Sequence, residues 1–150
     1  MRTLNQIISQ ITDIGTAHAQ LASNGVGTIA ELQAAPDRLY PLLWVDYQQT
    51  DTDTAYLTNS IRLIVADRVI TGEEGEDNTG MEQEVLSDSL SILIDIISYF
   101  IQQHAEEYVV ERVNSLVPFT EDWNDRVAGH SVVLQIRQFQ DWNKCQVPES

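Results

Sequence analysis

The chain predicts an α+β fold: a single domain over residues 1–150 with the order α-β-β-α-β-β, in which two helices pack on a mainly antiparallel sheet of about four strands. Three observations lead there. Apolar residues recur at three- and four-residue steps in an opening segment and again over Met81–His104, the spacing of a helix face. Alternating or continuous β-prone runs lie at Leu42–Tyr47, Tyr56–Val69, Tyr108–Val117 and His130–Phe139. The 150-residue length is that of one domain, and 43% hydrophobic residues suffice for a core of its own.

In the opening helix, expected over Thr3 to Ala22, Leu4, Ile7, Ile8, Ile11 and Ile14 form one apolar stripe. Ser23-Asn24-Gly25 reads as its stop, with Gly25 suited to a left-handed cap. Thr28-Ile29-Ala30-Glu31-Leu32 reads as a short turn of helix with Thr28 as N-cap, ending before Pro36. Pro41 opens the first strand, and Leu42-Leu43-Trp44-Val45-Asp46-Tyr47 carries large side chains on both faces, as a covered strand does. Gln48–Thr54 is wholly polar and reads as a loop joining an antiparallel hairpin to the strand of Leu57, Ile61, Leu63 and Val65.

Residues 71–80 hold Glu73, Glu74, Glu76 and Asp77 among glycines and read as a solvated loop. The long helix follows, with Leu86, Leu90, Leu93, Ile97 and Ile101 on one stripe and Ile92, Ile96 and Phe100 beside it. So wide a stripe calls for a sheet and a further contact, such as a neighbouring subunit. The third strand is expected to stay extended up to Pro118, Thr120–Arg126 to connect, and a final strand to follow Gly129 with Val132, Leu134 and Ile136 on one face.

Twenty-three acids against eight bases leave a net charge of −15, which opposes binding to nucleic acid, since phosphate contacts need Lys and Arg. It suits a soluble acidic surface, or the wall of a conduit along which DNA must slide without sticking. Cys145 is the only cysteine, so no intrachain disulfide forms. No secretory leader is expected, and no apolar run is long enough to cross a membrane.

Residues that would do covalent chemistry are not grouped in the sequence. His18, His104 and His130 are scattered without metal-ligand spacing, Cys145 has no histidine near it, and no phosphate-binding glycine motif occurs. No cofactor or catalytic residue is therefore expected. The acid groups Asp51-x-Asp53, Glu73–Asp77 and Glu121-Asp122-x-x-Asp125 offer oxygens to calcium or magnesium, yet none follows the EF-hand order, and all read first as solvated loops. Trp44 reads as core. Trp123 and Trp142, in polar segments, read as anchors of a subunit interface.

The opening helix, Leu42-Leu43-Trp44-Val45, the strand ending Leu63-Ile64-Val65-Ala66-Asp67-Arg68, the long helix, and Val127-Ala128-Gly129-His130-Ser131-Val132 running to Asn143-Lys144-Cys145-Gln146-Val147-Pro148 together resemble the tail-terminator or tail-completion proteins of tailed bacteriophages and related head-to-tail neck proteins. The resemblance covers most of the chain and lies in pattern and element order. It implies a non-enzymatic virion protein, assembled in the host cytoplasm, whose copies close into a ring that terminates the tail tube or joins tail to head. Its partners would be the tube, the portal or other neck proteins, with DNA passing through unbound. On that reading the acidic loops Asp51, Asp53, Glu73, Glu74, Glu76 and Asp77 face the lumen and Trp123 and Trp142 lie between subunits. The alternatives are a small acidic module, or DNA mimic, that occupies a basic partner, and a hydrolase using a metal in an acidic loop.

Overall fold

The computed structural model describes residues 2–34, 39–69, 79–112, 115–122 and 126–139. The class is α+β, and the described residues form three helices and a mixed six-stranded sheet in the order α1 (Leu4–Ala17), β1 (Ser23–Val26), α2 (Ile29–Ala34), β2 (Leu42–Thr52), β3 (Tyr56–Arg68), α3 (Thr79–Gln103), β4 (Val109–Arg112), β5 (Val117–Asp122) and β6 (Arg126–Phe139). The strands lie as β1-β2-β3-β6-β4, with β5 also on β6. Among the described residues β1 and β2 run parallel and the other strand pairs are antiparallel.

Side-chain alternation along the strands sorts the core into two layers. Leu43, Val45, Ile61, Leu63, Val65, Val132, Leu134 and Ile136 share one face with Ile7, Ile11 and Ile14 of α1 and Ile92, Leu93, Ile96, Ile97 and Phe100 of α3. On the other face Leu42, Trp44, Ile64 and Ala66 pack under Leu32 of α2. Each such aliphatic residue, removed from water, contributes on the order of 1.5–3 kcal/mol. The ends are tied by polar contacts. Thr3 and Gln6 form a reciprocal capping box on α1, Gln138 accepts from the Arg2 amide at 2.8 Å and donates to its carbonyl at 3.1 Å, and the Tyr108 hydroxyl donates to Gln10 at 2.8 Å.

Several expectations need correction. The opening helix stops at Ala17, not Ala22, because residues 23–26 gain a ladder with β2 by extending: Ser23, Asn24, Gly25 and Val26 pair with Leu42, Leu43, Trp44 and Val45. Gly25 is therefore a strand residue. Its missing side chain matters for another reason, since a Cβ there would sit 2.3 Å from the Trp44 ring. The positive φ belongs to Gly27, at 151°, where the chain turns into α2. That turn is as expected, with Thr28 Oγ1 accepting from the Glu31 amide at 3.2 Å.

The stretch 48–54 is mostly strand, not loop. Pairing with β3 continues to Thr52–Leu57 past a bulge between Tyr47 and Gln49. The expected third strand, Tyr108–Val117, is only the short β4, against Leu134–Arg137; Val117–Asp122, partly expected as connection, is a further strand, β5, end to end with β4 against Arg126–Ser131, and the final strand starts at Arg126 and not after Gly129. Pro118 sits inside β5, opposite His130, on an outer strand where a missing amide is tolerated. Thus the order α-β-β-α-β-β becomes α-β-α-β-β-α-β-β-β.

Candidate functional site

Of the acids expected to face a passage, Asp51 and Asp53 lie at the exposed far end of the β2–β3 hairpin. Asp51 accepts from Gln49 Nε2 at 3.1 Å. Asp53 accepts from the Thr54 amide at 2.6 Å while its own amide donates to the Tyr56 carbonyl at 2.9 Å, so its carboxylate shapes the turn. Glu73, Glu74, Glu76, Asp77, Trp123 and Trp142 lie outside the described residues. Trp44 is in the core, its indole N–H donating to the Gly27 carbonyl at 3.0 Å.

Two histidine pairings were not legible in the sequence, because the partners lie 77 and 41 residues apart. His18 Nε2 meets Asp95 Oδ2 at 3.3 Å across α1 and α3, beside a shallow cleft of about 320 Å³ walled by Ile14, Ala17 and Tyr99. His130 Nδ1 lies 3.0 Å from Ser89 Oγ. Hydroxyl beside imidazole is the pairing of a nucleophile with its base. Here, however, both side chains are buried, and the Ser89 hydroxyl already donates to the Leu86 carbonyl at 3.0 Å, which leaves its oxygen to accept from His130. Burial holds the His130 pKa below 6.5. The pair ties α3 to β6 and is closed to substrate.

Among the described residues no three His, Cys, Asp or Glu side chains are placed to hold a metal ion. Among the described residues no helix is long and apolar enough to cross a membrane.

What the fold leaves open is its own surface at one end. Past Val45, β2 has no neighbour on its outer side among the described residues: β1 ends at Val26, and the Gly27 amide closes the ladder on the Val45 carbonyl at 3.0 Å. The open stretch runs Asp46–Thr52, exposed from Tyr47 onward. On the sheet face opposite α1 and α3, no helix among the described residues covers this end, and charged side chains lie there beside exposed aromatics. Arg137 reaches Glu111 at 3.5 Å and lies 5.2 Å over the Tyr56 ring, which meets Phe139 edge-on at 6.3 Å. Nearer α2, burial raises the Asp46 pKa against the opposing pull of Arg62, and Gln48 donates to its carboxylate at 2.7 Å.

The second open surface is on α3. Its inward row is Ser89, Ile92, Leu93, Ile96, Ile97 and Phe100, while Ile94, Tyr99 and Ile101 are 46%, 49% and 38% exposed. Ile94 and Ile101, seven residues apart, share one outward face with the exposed serines 87, 91 and 98. Compared with known proteins, the chain matches no family model and no curated protein sequence.

Proposed function

We propose that this chain is a structural protein of a tailed bacteriophage particle, whose copies close head to tail into a ring that ends the tail tube or joins tail to head around the DNA channel. The observation that carries the reading is the outward apolar row of α3. A core helix that also shows Ile94 and Ile101 on one outward face offers a second contact, and a repeated heterologous contact closes into a ring when its rotation divides a full turn. The element order and residues that resemble tail terminators support it, as does the net charge of −15, which keeps DNA from adhering to a channel wall. The finer assignment places the acidic hairpin tip, Asp51 and Asp53, towards that channel with Glu73, Glu74, Glu76 and Asp77, and uses Trp123 and Trp142 between subunits.

Negative-stain microscopy of the purified protein, alone and with tube protein, tests the ring. Rings with an open centre are expected, and a monomer that stays solitary in both samples overturns the reading. The lumen assignment is tested by Asp51→Asn and Asp53→Asn with the four further acids changed to amides: particles should assemble and retain DNA on opening, whereas unchanged release and infectivity remove that role. The charge also favours a second reading, a module that occupies a basic protein. A one-to-one complex with such a protein, and no ring, would select it.

A further inference from the structure

We infer that the open edge of β2 is a second, two-fold contact, in which Gln48–Thr52 of one copy pairs antiparallel with the same segment of another. Natural edge strands are guarded by lysine, proline, brevity or a covering element. This one has no Lys, Pro or Gly between Asp46 and Thr52, and its guards are the bulge at Gln48 and its aspartates. Among the described residues, nothing pairs with this extended, hydrogen-bonding template.

The register decides what fits there. Four rows cross the open end: Tyr47–Ile61–Leu134–Arg112, Gln49–Ser60–Gln135–Glu111, Thr50–Asn59–Ile136–Val110 and Asp51–Thr58–Arg137–Val109. A head-to-tail continuation of the sheet would bring the outer edge of β4 from a neighbour onto these rows of β2. But β5 lies end to end with β4 along β6, opposite the rows of Leu42, Leu43 and Trp44. The neighbour's β5 would then fall where β1 already lies on β2. Self-pairing has no such clash. A two-fold axis reverses the second strand, so its hairpin tip ends beside Val26 while each β1 lies beyond the other copy's tip.

Symmetry further requires that an antiparallel two-fold pair meet at one residue facing its own copy, because a pair and its mate must make the same type of hydrogen-bonded or open contact. Centred on Thr50, the pairing sets threonine against threonine and Gln49 against Asp51 of the second copy. Amide already meets carboxylate within one chain at this position, Gln49 to Asp51 at 3.1 Å. No acid faces an acid in this arrangement, which matters for a chain of charge −15. The contact is separate from the one proposed on α3, and the two together would stack rings in pairs.

The test uses the full chain with Cys145→Ser and Thr50→Cys, treated with a short bismaleimide. A single cysteine on a two-fold axis yields a covalent dimer; the expected result is dimer as the main product, against background for Glu111→Cys. No dimer from Thr50→Cys in folded protein, or a ladder of higher species from the double variant Thr50→Cys with Glu111→Cys, overturns the inference. Light-scattering mass separates it from the ring proposal. Gln49→Glu, which sets a carboxylate against Asp51 of the second copy, should halve the particle mass and leave rings, and Ile94→Asp should abolish rings while the Thr50→Cys dimer still forms. Dimers without rings in any sample would keep this contact and remove the ring; rings whose mass Gln49→Glu leaves unchanged would do the reverse.

Discussion

At Gly129 a methyl group has nowhere to go. A Cβ built there lies 2.0 Å from the Val65 carbonyl oxygen and 2.9 Å from Ala66 Cα, backbone of the longest strand pairing in the sheet, so neither neighbour can yield without breaking ladder bonds. Gly129→Ala should therefore lose about 1–3 kcal/mol or more, read as a lower urea midpoint. Gly15 is the contrast. Its Cβ would meet Leu43 Cδ2 at 2.7 Å, the end of a side chain that can rotate, and alanine gains roughly 1 kcal/mol of helix propensity over glycine, so Gly15→Ala should stay within about 1 kcal/mol of the parent. His130 gives the pH dependence. Burial lowers its folded pKa below the unfolded 6.5, so below 6.5 the unfolded chain takes up the proton first and stability falls as pH drops towards the folded value. Asp46 and Asp67, raised by burial above 3.8, act oppositely at lower pH: the native chain holds their protons more tightly, so acidification through that window stabilises it. The stability loss between pH 7 and 5 should be shallower in His130→Gln, which can still hydrogen-bond Ser89, and an unchanged slope would show that His130 does not titrate there.

The inward face of α3 decides between two readings of its stripes. Periodicity marked Leu86, Leu90, Leu93, Ile97 and Ile101 as one row, but the helix is rotated so that the neighbouring row, Ile92, Ile96 and Phe100, lies deepest with Leu93 and Ile97, and Ile101 turns to solvent. A stripe wider than one face leaves that rotation undetermined until the sheet is known. Ile97→Asp should unfold the domain, because a carboxylate would sit at a 5% exposed site without a partner, at several kcal/mol. Ile94→Asp should melt with the parent. Strong periodicity thus showed α1, α3, β3 and the hairpin with β2, where each segment's own pattern agrees with its tertiary role. It failed where pairing overrides local preference. Ser23–Val26 has the look of a helix stop and becomes a strand only because β2 offers a parallel edge, and Gln48–Thr52 is polar because its strand lies beyond the helices. The acidic tip, Asp51 and Asp53, could be read from composition alone; the open edge that continues from it could not, since an edge is a property of which neighbour is missing.

Charge acts at the scale of the whole molecule and sets a direction for assembly. Copies carrying −15 each repel, and neither the α3 row nor the β2 edge offers cations to offset that repulsion: α3 contains Glu82, Glu84, Asp88 and Asp95 and no Lys or Arg. What draws copies together must then be apolar burial and main-chain hydrogen bonds, neither of which salt weakens, while the opposing repulsion is screened over about 10 Å at 0.1 M and about 3 Å at 1 M. Self-assembly should accordingly strengthen as sodium chloride rises from 0.05 to 1 M (~10-fold or more in association constant, from the loss of a few kcal/mol of repulsion). A complex with a basic partner depends on the same charges with the opposite sign and should dissociate over that range. Sedimentation velocity on the protein alone, across the salt series, therefore reads the two functional readings directly: a shift from light to heavy species with added salt supports copies meeting copies, and a monomer at every salt concentration leaves only the basic partner.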